Sequence, residues 1–140
     1  MSILSAVQEY IAAYSELKED APVWVNYLGS VPTEYTIVPL AGERIVETDI
    51  VGNTTREFPF ALQSMESTAA ELERIQTQEF YEAFADWLES QTLLLDFPTL
   101  ETGKTATKIE ALGWAYLFQQ GESSTGVYQI QCKLTYDQEK

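Results

Sequence analysis

The amino-acid pattern predicts an α+β fold: an antiparallel or mixed β-sheet with two main helices packed on one side. Three observations carry this. Apolar residues recur at helical spacing over 2–18 and again over 67–91. Short β-branched and aromatic runs, separated by turn residues, fill 23–63 and 105–136. Within the last run, 127–136, apolar and polar side chains alternate with a period of two. Helices and hairpins in separate blocks, without βαβ alternation, favour helices stacked on an antiparallel sheet. At 140 residues, with no internal repeat and no low-complexity segment, one domain (1–140) with one core is expected.

In the first helix, Ile3, Leu4, Val7, Tyr10, Ile11, Tyr14 and Leu17 form one stripe, and Ser2 is placed to cap it. The cluster Lys18-Glu19-Asp20, then Pro22, ends it. Val23 to Leu28 reads as a strand, Gly29-Ser30-Val31-Pro32 as a turn, and Tyr35 to Val38 as a second strand.

A hairpin arm follows, with 44–51 and 54–62 flanking Gly52-Asn53. The expected register sets Val51 opposite Thr54, Asp49 opposite Arg56 and Ile45 opposite Phe60, which puts an ion pair and an apolar pair on one face. Such a surface ion pair contributes under about 1 kcal/mol. Pro59 has no amide to donate, so its stretch belongs at an edge or a bulge. The tip from Glu47 to Glu57 is longer than the core needs.

Ser67-Thr68 is suited to cap a short helix to about Ile75, and Thr77 a second one. That run carries Phe80, Phe84, Trp87 and Leu88 along one stripe, with Glu79, Glu82, Asp86 and Glu89 towards solvent. Leu93 to Pro98 leaves as an apolar loop. The C-terminal hairpin rises from Thr105 to Gln119, turns through 121–126 and returns from Val127 to Tyr136. Tyr128, Ile130, Cys132, Leu134 and Tyr136 form its buried face.

Composition narrows function. The chain has 22 acidic and 8 basic residues, a formal charge of -14, no histidine and one cysteine. Histidine and activated thiolates carry most side-chain chemistry near neutral pH, so contact is favoured over catalysis. Cys132 has no partner for an internal disulfide and no zinc-type spacing. It reads as a small buried hydrophobe. The basic residues Lys18, Arg44, Arg56, Arg74, Lys104, Lys108, Lys133 and Lys140 are scattered, which argues against reading nucleic acid or binding an anionic membrane. The start lacks a basic segment followed by an apolar one, and no apolar run approaches the ~18 residues of a membrane span. A soluble protein made in a cytoplasm is expected.

Gly103-Lys104-Thr105 looks like the tail of a phosphate-binding loop, but Pro98 stands where that motif needs glycine and a strand follows instead of a helix. The carboxylates of the second helix read as a solvated face, since nothing isolates two of them in an apolar pocket. Trp24, Trp87 and Trp114 read as core or interface anchors. No catalytic, cofactor-binding or metal-binding residue is expected.

Three phrases carry a family likeness: 58–62 (FPFAL), 80–88 (FYEAFADWL) and 128–136 (YQIQCKLTY). With the order of elements, they resemble a family of small phage and prophage proteins described as minor capsid or minor tail proteins. That order is similar to tail-terminator and tail-completion proteins of long-tailed phages. The likeness implies a virion protein of the head–tail junction, made in the bacterial host cytoplasm. It implies a homo-oligomeric ring, a hexamer, that caps the tail tube and meets the major tail protein and the head-completion or connector protein. DNA would pass through without being bound, with carboxylates lining the channel. A ring needs two different complementary patches per subunit. The arm residues Glu47, Asp49, Val51, Asn53, Arg56 and Glu57 are the contact candidates.

Two rivals belong to other classes. An acidic DNA mimic would inhibit a basic, nucleic-acid-binding host protein and would be a monomer or dimer. A small enzyme would work through a carboxylate pair. Oligomeric state separates the ring from the mimic.

Overall fold

The computed structural model describes residues 2–17, 22–26, 34–121 and 124–140. They form α1 (Ile3–Ala12), β1 (Val23–Val25), β2 (Tyr35–Pro39), β3 (Ile45–Thr48), β4 (Thr54–Ser67), α2 (Glu71–Leu94), β5 (Lys104–Ala111), β6 (Tyr116–Gln120) and β7 (Thr125–Gln138). The class is α+β, with a mixed seven-stranded sheet. The main path runs β1-β2-β4-β7-β5, with β3 added beside β4 and β6 beside β7. Only β1 and β2 pair in parallel. The expected turns at Gly29–Pro32 and at residues 122 and 123 lie outside the described residues.

The sheet is organised by two long central strands. β4 and β7 pair over fourteen positions, from Thr54↔Gln138 to Ser67↔Thr125. Even-numbered residues of both point to the helices: Phe60, Leu62 and Ser64 beside Cys132, Ile130 and Tyr128. Tyr35 and Ile37 extend this face through β2, and Ile109 through β5. Above them pack Val7 and Ile11 of α1 with Tyr81, Phe84 and Leu88 of α2, all buried in one cluster. Tyr14, Phe80, Phe84 and Trp87 join the helices, with ring centroids 4.5 to 6.3 Å apart. The Ser64 and Tyr81 hydroxyls share a buried 2.6 Å hydrogen bond that ties β4 to α2.

The α1 cap forms as expected. Ser2 and Ser5 make a reciprocal capping box, each amide donating to the other's hydroxyl at 3.0 Å. The helix ends sooner, with Ala13 as C-cap, and turns continue towards Leu17. In β7 the predicted face, Tyr128 to Tyr136, is buried, and so are Val127 and Gln129 on the other face.

Several expectations are corrected. The two short helices of 67–91 are one helix, α2, capped at Ala70 without a side-chain bond. Thr77 sits inside it, its hydroxyl donating back to the Glu73 carbonyl at 3.1 Å, so a residue read as a cap satisfies itself within the helix. The outgoing half of the last hairpin is two strands, separated where the chain leaves the ladder at 112–115. Pro59 lies in the central strand β4, not at a sheet edge. It is tolerated because its backbone faces the gap between β2, which pairs with 60–64, and β3, which pairs with 54–56. Its carbonyl still accepts from the Leu40 amide at 2.9 Å.

The arm register also differs. Ile45 pairs with Arg56, Glu47 with Thr55 and Thr48 with Thr54, so Asp49 does not face Arg56 and Ile45 does not face Phe60. The cause is Asp49. Its carboxylate accepts from the amides of Val51 and Asn53, both at 3.0 Å, which closes a five-residue loop in place of a two-residue one. Gly52 adopts φ 95 within it, a conformation open to glycine.

Candidate functional site

The exposed apolar residues concentrate at two corners of the sheet. β3 pairs on the outer side of β4, level with the 136–138 end of β7. β6 pairs on the outer side of β7, level with its 126–129 end. The corners are therefore diagonal, separated by roughly 25 Å along the strands at ~3.3 Å per residue.

At the β3 corner, Ile45, Val46, Ile50 and Val51 are exposed. The expected contact residues do not act as one group. Asp49, Val51 and Asn53 meet in the loop. Asn53 also accepts the Lys140 amide at 3.0 Å, which pins the C-terminal end against the arm. Burial pushes the Asp49 carboxyl up, but the hydrogen bonds from Asn53, Val51 and Gly52 outweigh it and hold its pKa below the usual carboxylate value. Glu47 lines a shallow hollow with Asp49, Asn53, Asp137 and Glu139. Arg56 lies on the helix side of β4 and donates to the Thr54 hydroxyl at 3.1 Å. Glu57 lies on the opposite face, paired with Lys133 at 2.8 Å.

At the β6 corner all five strand residues are exposed, including Tyr116, Leu117 and Phe118. Two bonds flank this strand: Gln78 Nε2 of α2 donates to the Ala115 carbonyl just before it at 2.6 Å, and Gln120 Nε2 at its end donates to the Thr68 hydroxyl at 3.1 Å. Leu72 and Ile75, also exposed, belong to the first half of that helix. On the face of the sheet away from the helices a polar row crosses four strands in register: Thr36, Gln63, Gln129, Tyr116. Gln63 donates to Gln129 at 2.6 Å and Gln129 to the Tyr116 hydroxyl at 2.7 Å, fixing the corner to the sheet.

Beside this corner lies a groove of about 640 Å³ between α2 and the β5–β6 link. Trp114, Leu93 and Leu112 provide apolar wall, and Ile109, Ala85 and Ala111 lie between. Thr92 holds the two sides together, donating to the Ile109 carbonyl at 2.7 Å and accepting its amide at 3.1 Å.

Cys132 is fully buried, and burial pushes its thiol far above the ordinary range. Glu79, Glu82, Asp86 and Glu89 are exposed along α2, as read from the sequence. Gly103-Lys104-Thr105 forms a turn into β5, with Lys104 paired to Glu101 at 3.3 Å. Among the described residues no three acidic or cysteine side chains converge as a metal site, and no helix is long and apolar enough to cross a membrane. Of the tryptophans, Trp87 packs against Tyr10 and Tyr14, whereas Trp114 is 75% exposed.

Sequence reasoning missed the β6 corner. Its signal was Tyr116-Leu117-Phe118, three large apolar residues in succession where a half-buried strand should alternate. No protein-family model matches the chain, and no curated protein matches its sequence.

Proposed function

We propose that the chain is a non-catalytic assembly subunit of a long phage tail, a tail terminator or tail-completion factor. Its subunits close a ring, a hexamer, on the end of the tail tube and offer that ring to the head connector. The observation that carries this reading is the pair of unlike apolar corners at diagonal positions of one sheet. An isologous dimer uses one self-complementary patch, whereas a ring needs two different ones that meet head to tail. Exposed, unpaired edge strands bearing large apolar side chains are a liability in a monomer. An assembly covers them.

The family likeness of the three sequence phrases supplies the tail-end assignment, and the acidity fits a channel that DNA passes without binding. The absence of histidine and the inert Cys132 agree with a structural role.

The test is to polymerise the major tail protein of the same genetic element with and without this chain and to image the tubes by electron microscopy. Rings at one tube end, together with arrested growth, are expected. A chain that leaves tube growth unchanged and instead forms a stable monomeric complex with a basic nucleic-acid-binding protein would replace this reading with the DNA mimic.

A further inference from the structure

The groove beside the β6 corner has a more specific occupant than the corners do. Its apolar part is concave and open: Leu93 of α2 is 80% exposed, and from the β5–β6 link Trp114 is 75% exposed and Leu112 half exposed. Its helix-side rim is acidic, with Glu82, Asp86 and Glu89 from α2. Lys108 and Glu110 of β5 border it from the other face of the sheet and pair with each other at 3.4 Å. An apolar floor flanked along the helix by three carboxylates selects its ligand by charge as well as by shape.

From this geometry we infer that the groove binds a basic amphipathic segment of a partner protein, one that sets apolar side chains against Trp114, Leu93 and Leu112 and places Lys or Arg on the rim. A second copy of this chain does not fit. Its formal charge is -14, and its eight cations stand singly along the sequence with no run that is both basic and apolar. Nucleic acid does not fit either, since the rim repels phosphate. A basic helix laid with its apolar stripe into a groove is an established mode of peptide recognition. The fit is complementary in both respects. The assignment stands apart from the ring contacts, which use the β3 strand and Phe118.

The test uses the full chain and a fluorescein-labelled synthetic peptide of about 14 residues, about four helical turns, with leucine at helical spacing and lysine elsewhere. A second peptide carries glutamate in place of lysine. Fluorescence anisotropy reads affinity, and ¹⁵N–¹H spectra read location. The lysine peptide binds, with amide shifts centred on Ala85, Ala111 and Gly113, and its affinity falls as salt rises. The glutamate peptide does not bind. Trp114→Ala weakens binding about tenfold or more, the scale of an aromatic anchor. Trp114 is mostly exposed, so the thermal midpoint stays near wild type. Asp86→Lys with Glu89→Lys weakens binding comparably, whereas the control pair Glu9→Lys with Glu16→Lys, exposed and away from the groove, does not.

Four results overturn the inference. One is that the lysine peptide fails to bind. Another is that Trp114→Ala leaves its affinity unchanged, or that the control pair weakens it as much as the rim pair, either of which means diffuse charge attraction. The last is that Trp114→Ala abolishes self-association of the free chain, which makes the groove a copy–copy contact. Phe118→Glu separates this inference from the ring: it leaves peptide binding intact while disrupting assembly.

Discussion

The two diagonal corners expose similar apolar side chains but are supported in opposite ways. The β3 corner is a projection. All four β3 residues are exposed, no helix backs them, and the loop is held by Asp49, Asn53 and the Lys140 amide. The β6 corner is braced. Gln78 of α2 holds the Ala115 carbonyl at its start, and the polar row fixes Tyr116. A projection held by surface hydrogen bonds suits reaching over to a neighbour. A braced corner suits receiving one, because its shape is set before contact and less freedom is lost on binding.

That contrast is open to mutation. The largest effect comes from removing the brace. Leu88→Ala deletes fully buried volume between α2 and the sheet and should cost about 2–5 kcal/mol in denaturant unfolding. Ile50→Ser at the arm tip should change stability by less than about 0.5 kcal/mol, because Ile50 is fully exposed. Equal costs at the two sites would erase the distinction.

Thr92→Val tests the α2–β5 contact locally. It leaves the Ile109 amide without its side-chain partner, for about 1–2 kcal/mol, and that amide should lose hydrogen-exchange protection before its β7 neighbours do. At the C-cap of α2, Leu95 adopts φ 57, a left-handed conformation that costs a non-glycine residue roughly 1–2 kcal/mol. Leu95→Gly relieves this but frees the unfolded chain, so a net gain below about 1 kcal/mol is expected in thermal unfolding.

The smallest effect is electrostatic and belongs to the arm. The Asp49 carboxyl has a lowered pKa in the folded chain, so its contribution is present above the unfolded carboxylate value and is lost as pH falls through the folded one. Protection of the Val51 and Asn53 amides should therefore drop on acidification below the usual carboxylate range, while the Ile109 amide keeps its protection. Simultaneous loss at the arm and at β5 would mean that the two are not independently supported.

How much of this was legible in sequence follows the range of the forces. The alternation of Tyr128 to Tyr136, the Ser2 cap and the acidic face of α2 are local patterns, and each was readable. The arm register was not, because one side chain, Asp49, outweighs the turn preference of Gly52-Asn53. Pro59 in a central strand became intelligible only once β2 and β3 were seen to divide the outer side of β4 between them. Thr77 reads as a cap until its hydroxyl is seen bonding back within a continuous helix. The groove depends on where α2 meets the β5–β6 link, contacts separated by 17 and 37 positions in sequence. No local pattern encodes that meeting.

The central claim, that two different corners of one subunit meet head to tail, is tested most directly by mixing two variants. Val46→Glu disables the β3 corner and Phe118→Glu disables the β6 corner, both at exposed positions. Multi-angle light scattering is then read on each variant and on an equimolar mixture, under conditions where the wild type assembles. The account predicts that each variant alone is monomeric and that the mixture stops at heterodimers, since a single intact corner pair remains. Either variant still assembling to the wild-type mass, or a mixture that forms no heterodimer, would contradict it.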